Sequence, residues 1–503
     1  MPKSMFVKPE DKFAKRTITF KDIPVCEYDK TGKDEKKNFS KEDFLGMYAD
    51  MVAIREFESM LQSIKLQGEY NGKKFTYPGP SHLAIGEEAT AVGQAYTLGV
   101  DDFIFGTHRS HHEVIAKCLS AIKKLSDEEL IKIMKEFNGG KNYEIVKKHN
   151  DTDNVKELAR DFFMYGLTCE LFAKDNGFSR GLGGSMHTFF TPFGIYPNNA
   201  IVGGSGTIAM GAALYKRVNR KPGIVVANIG DGALGRGPVL EALNMSGMGQ
   251  LNTLWEDDMK GGLPVLFNIF NNQYGMGGQT NGETMAYDIL ARLGAGFNPN
   301  QMHAERVDGF NPLAVIEAYG RKKKLLLEGK GPALLDVVTY RFAGHSPSDS
   351  SSYRTKEEVE EWAKLDPLTV FPQQIVDAKV ATKKEVEAVH DAVVDRNHRM
   401  FELASDLEIS PYTDYDKHPD HIESRMFSNG VKEKMDDREC EVRQKKEDNE
   451  RVKKIARAQR YAFDKNGKPF SKAKVYNIRD GLFEAIMDKY YTDPTLISYG
   501  EDV

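Results

Sequence analysis

Residues 224–244, "IVVANIGDGALGRGPVLEALN", set Asp231 between Gly230 and Gly232 at the point where an apolar run ends and an amphipathic one begins. Ile224 to Ile229 read as a buried strand and "RGPVLEALNMSGMG" as the helix after it. Asp231 therefore lies at a strand's carboxyl end beside a helix N-terminus, where open α/β sheets collect their ligands. A helix N-terminus favours phosphate through its free N–H groups, whereas an aspartate in the same place repels a bare one. A divalent cation between the two removes the conflict. Mg²⁺ takes about six hard oxygens, usually from one or two protein groups together with phosphates and water. A second apolar strand, "LPVLFNIF", runs into "NNQYGMGG" and brings further oxygens, the Asn272 amide and the Tyr274 carbonyl. The glycines beyond it let main chain approach a ligand closely. "GDG" by itself reads as a plain turn, and "NN" by itself says nothing. Their order, strand–GDG–helix–strand–NN, is the pattern of a metal-bridged diphosphate site.

Working outward, "PGIVVANI", "LPVLFNIF" and "PALLDVVTY" are short apolar runs rich in β-branched residues, separated by helical or glycine-rich segments. Near-continuous apolar strands imply a parallel sheet covered on both faces, an α/β class with helices flanking the sheet. Residues 1–40 are polar and read as an N-terminal extension. At Ser40 and Asp43 a capping box opens a helical pattern, and the α/β domain is expected over residues 41–416. Within it, residues 119–165 are charged and helix-forming and read as an insertion. Residues 417–472 read as a charged, solvated helical linker, and residues 473–503 as the start of a further domain with an amphipathic helix and a short strand.

The 503 residues carry 69 Lys+Arg against 74 Asp+Glu, a net charge of −5, and lack the basic surplus that binding a nucleic-acid backbone needs. Cys26, Cys118, Cys169 and Cys440 form no CxxC pair, so neither a disulfide framework nor a thiolate zinc site is read and a reducing compartment fits. No run approaches the ~18 apolar residues of a membrane span, and the opening stretch has no signal-peptide core. The expectation is a cytoplasmic protein with neither nucleic acid nor membrane as partner. The cluster His108, His111, His112 and Glu113 lacks a third spaced ligand group, so no zinc site is read there.

The GDG and NN segments together resemble the thiamine diphosphate signature. The resemblance extends over most of the chain to the alpha part of the thiamine-dependent first component of the 2-oxo acid dehydrogenase complexes. Its pieces run in that family's order: "MVAIREFESML", "SHLAIGEEATAVG", "GTHRSHHEV", "GFSRGLGGSMH", "NNAIVGGSGTIAMGAAL", the two segments above, and "YRFAGHSPSDSSSYRTKEEVEEWAKLDPL". The closing "RDGLFEAIMDKYYTDPTLISYGEDV" resembles the start of the family's beta part, with Glu501 matching one of its glutamates. The resemblance implies the thiamin diphosphate-binding fold, with thiamine diphosphate and Mg²⁺ as cofactors. Asp231, Asn272 and the Tyr274 carbonyl would hold the metal. Gly232, Ala233 and Gly275 would line the diphosphate, and Arg109 would reach a phosphate oxygen, with His108 before it standing where the family has tyrosine. Val202 would face the aminopyrimidine ring, and His345 would sit over the diphosphate and the reacting carbon. Taken alone, Arg109 also reads as a surface ion pair and Val202 as core. Ser346 matches a position that carries a regulatory phosphate in mitochondrial relatives.

The implied reaction is oxidative decarboxylation of a small 2-oxo acid, pyruvate first and branched-chain acids second, with reductive acyl transfer to a lipoyl-bearing acyltransferase core. The implied partners are a beta-type domain or subunit and further copies of the chain. Acetoin cleavage uses the same cofactor and arrangement. From a different class, a non-catalytic phosphate-binding or assembly subunit would keep the fold without the chemistry. Ala200 replaces the first glycine of the family's "GIVG", and "LNTLWEDDMKGG" lengthens the GDG-to-NN spacing.

Overall fold

A computed structural model describes residues 6–77, 79–150, 152–255, 257, 259–423, 438–461, 463–470 and 476–498. The chain divides into two units, residues 1–413 and 414–503.

The first unit is built on a five-stranded, wholly parallel sheet: β1 (Phe103–Phe105), β2 (Val225–Gly230), β3 (Val265–Asn271), β4 (Glu305–Asp308) and β5 (Ala333–Val338). Their order is β1-β2-β3-β5-β4. The three apolar runs of the sequence are the three inner strands, buried almost end to end. This is how strands covered on both faces behave. The edge strands β1 and β4 escape a sequence reading. One has three residues, and the other, "ERVD", alternates buried and less buried positions. Outside β4, Pro24 and Cys26 of the N-terminal stretch add a parallel rung: the Cys26 N–H donates to the Arg306 carbonyl and the Arg306 N–H to the Pro24 carbonyl, each at 2.9 Å.

The flanking helices are α1 (Lys41–Gln67), α2 (Glu88–Thr97), α3 (His111–Lys124), α4 (Val155–Leu171), α5 (Gly204–Val218), α6 (Gly237–Ser246), α7 (Pro312–Leu327) and α8 (Lys383–Ser405). The Ser40–Asp43 capping box does open α1, whose last turn closes on Gly68 at φ 73°. α5 lies against β2 and α6, and α7 against β4 and α2. The α2–α7 crossing is close because Gly93 has no side chain: a Cβ there would stand 2.6 Å from that of Val315.

The segment read as an insertion begins inside α3, continues through helices Asp127–Glu136 and Lys141–His149, and ends inside α4. Phe162 and Phe163 of α4 are fully buried in the core that α1 and α3 share, where they join Phe178, Phe190 and Phe193 in an aromatic cluster.

Among the described residues of the second unit, the charged stretch carries the short helices Lys446–Asp448 and Glu450–Ala456, and α9 (Ile478–Tyr490) follows. Asn477 caps α9, with Asp480 completing the box. Residues 499–503 of the expected short strand, Glu501 among them, lie outside the described residues. No described helix is long and apolar enough to cross a membrane.

Candidate active site

The register of β2 against β3 pairs Gly230 with Phe270, so the chain leaves both strands at the same height and Asp231 emerges beside Asn271 and Asn272. Asp231 begins a single helical turn, Asp231–Leu234, directly after the strand. The loop after β3 folds back on itself, with the Gly275 N–H donating to the Gly278 carbonyl and the Thr280 N–H to the Gln273 carbonyl, each at 2.9 Å. A side chain at Gly278 would meet the Glu283 carboxylate, which would have to swing aside. Between these loops opens a cavity of about 580 Å³. Its wall includes every residue expected to hold the cofactor or the metal: His108, Arg109, Val202, Asp231, Gly232, Ala233, Asn272, Tyr274, Gly275 and His345.

Asp231 is 2 % exposed, and its Oδ2 accepts from Thr280 Oγ1 at 2.6 Å. Burial drives its carboxyl up to about 7, opposed by Thr280 and the Gly232 N–H and assisted by Glu87. Asn272 is held by Glu87: Nδ2 donates to Glu87 Oε1 at 2.8 Å while Oδ1 accepts the Tyr274 N–H at 3.2 Å. The buried Tyr274 ring is pinned from behind, its hydroxyl donating to Glu358 Oε1 at 2.6 Å. A buried carboxylate whose charge is costly, an oriented amide oxygen and a backbone carbonyl form a hard-oxygen donor set that fits Mg²⁺.

Arg109 is buried, 6 % exposed, and so is not a surface ion pair. Its Nη1 donates to the Leu83 and His345 carbonyls at 2.5 and 3.0 Å, and its Nη2 faces His345 Nδ1 at 3.1 Å. Val202 is 51 % exposed on the rim and is not core. The loop "AGHSPSD" is held as a turn by Asp349, which accepts the His345 N–H at 2.7 Å and the Tyr353 hydroxyl at 2.7 Å. Burial, followed by the charges of Arg109 and Arg341, lowers His345 to about 4. Of the histidine cluster after β1, His111 turns away into the core toward Glu58 and Ser185. His108 and His112 remain at the cavity.

Sequence reasoning missed several lining residues. Glu87 and His82 lie in "SHLAIGEEATAVG", whose pattern assigns a role to neither, and Arg341 precedes His345 in "YRFAGH". His112 and Glu113 form the cavity floor, both nearly inaccessible. Asn228 Nδ2 donates to Glu113 Oε2 at 2.7 Å, and burial pushes the Glu113 carboxyl well up. These polar groups sit inside α/β core, and no local pattern separates them from solvated side chains.

A family model described as the dehydrogenase E1 component matches residues 50–410. The chain belongs to this family. It is 30 % identical over 358 residues to the pyruvate dehydrogenase E1 component subunit alpha of Rhizobium meliloti, covering 71 % of this chain and 84 % of that one. It is 29 % identical over 412 residues to the mitochondrial subunit of the same description from Schizosaccharomyces pombe, covering 81 % and 78 %. For the corresponding subunit of Dictyostelium discoideum the identity is 28 % over 375 residues, with 74 % and 81 % covered. This E1 chain is thus a 2-oxo acid dehydrogenase component, and its parallel sheet with flanking helices is the thiamin diphosphate-binding fold expected of one.

Proposed function

We propose that the cavity binds thiamine diphosphate through Mg²⁺ and decarboxylates a small 2-oxo acid, pyruvate before branched-chain acids, passing the acyl group reductively to a lipoyl-bearing acyltransferase partner. The observation that carries the reading is the meeting of Asp231, Asn272 and Tyr274 at the ends of two adjacent parallel strands, in one cavity with Arg109 and His345. The pyruvate dehydrogenase subunits among its relatives support the substrate.

In this reading Asp231, the Asn272 amide oxygen and the Tyr274 carbonyl hold the metal, and Gly232, Ala233 and Gly275 give main chain close access to the diphosphate. Glu87 fixes which way the Asn272 amide faces, and so presents oxygen rather than nitrogen to the metal. Arg109 would reach a phosphate oxygen, with His108 beside it in the cofactor's surroundings, and Val202 on the rim would face the pyrimidine ring. His345, neutral at physiological pH, offers a proton acceptor or donor above the reacting centre, and Arg109 fixes its ring. The bound cofactor supplies the electron sink for loss of CO₂. The beta-type surroundings of the site would come from a partner domain or subunit, and α9 is read as the beginning of such a domain. Assembly into a homo-oligomer in a reducing, cytoplasmic compartment completes the proposal.

Calorimetry on the whole chain tests it. Thiamine diphosphate should bind only with Mg²⁺ present, and Asp231→Ala should abolish that binding while the circular dichroism spectrum stays unchanged. Equal affinity with and without Mg²⁺, or in the variant, would sink the metal assignment.

A further inference from the structure

Three histidines from distant parts of the chain meet at the cavity: His82 ahead of α2, His108 after β1 and His345 after β5. Their ring centroids are 4.5 Å (His82 to His108), 4.9 Å (His82 to His345) and 5.5 Å (His108 to His345) apart. His82 stands nearly edge-on to the other two, at 86° and 79°. One ring nitrogen from each lies within 4.8 Å of the others. Neither His82 Nδ1 nor His108 Nε2, both buried, has a hydrogen-bond partner among the described residues. Orphaned buried nitrogens are costly, and these two belong to rings whose centroids are 4.5 Å apart.

We propose that His82, His108 and His345 form a three-nitrogen site for one divalent d-block cation, zinc foremost, separate from the oxygen donors around Asp231. Imidazole suits zinc and nickel, whereas Mg²⁺ is bound by hard oxygens, so the nitrogen and oxygen donor sets of the cavity select different ions. Three protein ligands with an open fourth position is the arrangement zinc takes where it keeps a water or an exchangeable anion. At Zn–N distances of about 2.0–2.1 Å, tetrahedral ligands stand roughly 3.4 Å apart, so each ring tip moves inward by less than about 1 Å. The ligands are already in the form the metal needs. Burial is the main cause that lowers His82 to about 2, His108 to about 3 and His345 to about 4, so no proton has to be displaced at neutral pH.

One opposing force is visible. Arg109 donates to His345 Nδ1 and repels a cation, and an ion taking that nitrogen displaces Nη2. Arg109 keeps its two carbonyl contacts through Nη1. The ion therefore competes with a guanidinium, which makes this site weaker than a closed structural zinc centre. Occupancy follows from the ring geometry alone. Its consequence, inhibition by withdrawing His345 from the reacting centre, rests on the function proposed above.

Cobalt serves as the optical probe on the whole chain, with saturating Mg²⁺ present. One Co²⁺ per chain should bind with visible bands of tetrahedral intensity and be displaced by Zn²⁺. His82→Gln and His108→Gln should each weaken binding by about tenfold or more, and Asp231→Ala should leave it intact. Displacement by Mg²⁺, loss in Asp231→Ala, or an unmoved titration in both histidine variants would overturn the site. Should a histidine variant fail to fold, diethyl pyrocarbonate labelling of the wild-type chain decides. Zn²⁺ should protect positions 82, 108 and 345 in peptide mass spectra, and equal labelling with and without Zn²⁺ refutes the proposal.

Discussion

Asn154 opens α4 by accepting the backbone N–H groups of Lys156 and Glu157 at 3.0 and 3.2 Å. Asn477 opens α9 in the same manner, accepting the Asp480 N–H at 3.1 Å while Asp480 returns the bond to the Asn477 N–H at 3.2 Å. From these matched starts the two helices reach opposite ends. α4 buries most of its 17 residues, Phe162 and Phe163 completely. α9 buries none of its 13, and Ile478, Leu482 and Ile486 stand 84, 60 and 51 % exposed. Polar links to Glu484 hold α9 instead, from Arg460 at 3.0 and 2.8 Å and from the Tyr476 hydroxyl at 2.6 Å. A helix's start and period are written locally, whereas the cover for its apolar face comes from segments far away in sequence.

The largest loss is expected at Phe163. Phe163→Ala removes a ring packed against Phe178, Phe190 and Phe193, and should cost the first unit about 3–5 kcal/mol. Denaturant titration with a probe in that unit measures it. A loss under about 1 kcal/mol would mean the helical flank is looser than its burial indicates.

Burial by distant segments also reaches a charge, that of Lys117. It lies in α3, 1 % exposed, with Nζ donating to the Gly99 and Phe193 carbonyls at 2.7 and 2.6 Å. Burial lowers its pKa from 10.5 to about 7, against the attraction of Asp102. The folded value is below the unfolded one, so the unfolded chain holds the extra proton between about pH 7 and 10.5 and stability rises with pH across that window. The penalty is full below pH 7 and is on the order of a few kcal/mol. Lys117→Met leaves two carbonyls without their donor, so its absolute stability is uninformative. The wild-type-minus-variant curve should nevertheless rise through the window, and a flat difference would show that Lys117 keeps its ordinary titration.

What was legible in the sequence follows the same division between local and distant. The inner strands β2, β3 and β5 announce themselves as apolar runs, and Asp231 and Asn272 are found because each directly follows one. β4 is unreadable because "ERVD" owes its place to pairing with β5 rather than to its own pattern. Arg109, Val202 and His345 were placed by resemblance to a family. Alone, Arg109 read equally as a surface pair and Val202 as core, and burial decided against both. Glu87 has no local signature at all, and Glu113 stands out only within the histidine cluster that is not read as a zinc site, since a buried carboxyl and a solvated one are the same letter.

The two caps separate local from global stability. Asn154→Ala and Asn477→Ala each remove side-chain acceptance at a helix start, a loss of about 1 kcal/mol. For α4 the loss should appear in the cooperative unfolding of the first unit. For α9 it should appear as faster amide exchange over residues 478–490 with the first unit's transition unmoved. Equal shifts of that transition in both variants would show that α9 unfolds with the core.

The smallest stability change tests the exposed face itself. Ile478, Leu482 and Ile486 follow each other at intervals of four, so they form one line along α9, and the half-buried Phe483 beside them lies under Arg451, whose guanidinium is 4.3 Å from the ring. Because these side chains are already in water, Leu482→Gln with Ile486→Gln should shift unfolding by no more than about 0.5 kcal/mol. The change should be felt between molecules, since contiguous exposed apolar surface drives association. Sedimentation velocity across a concentration series should show the wild-type chain associating and the double variant associating less. If the variant unfolds markedly more easily, that face is covered in solution, and the contrast between α4 and α9 disappears with it.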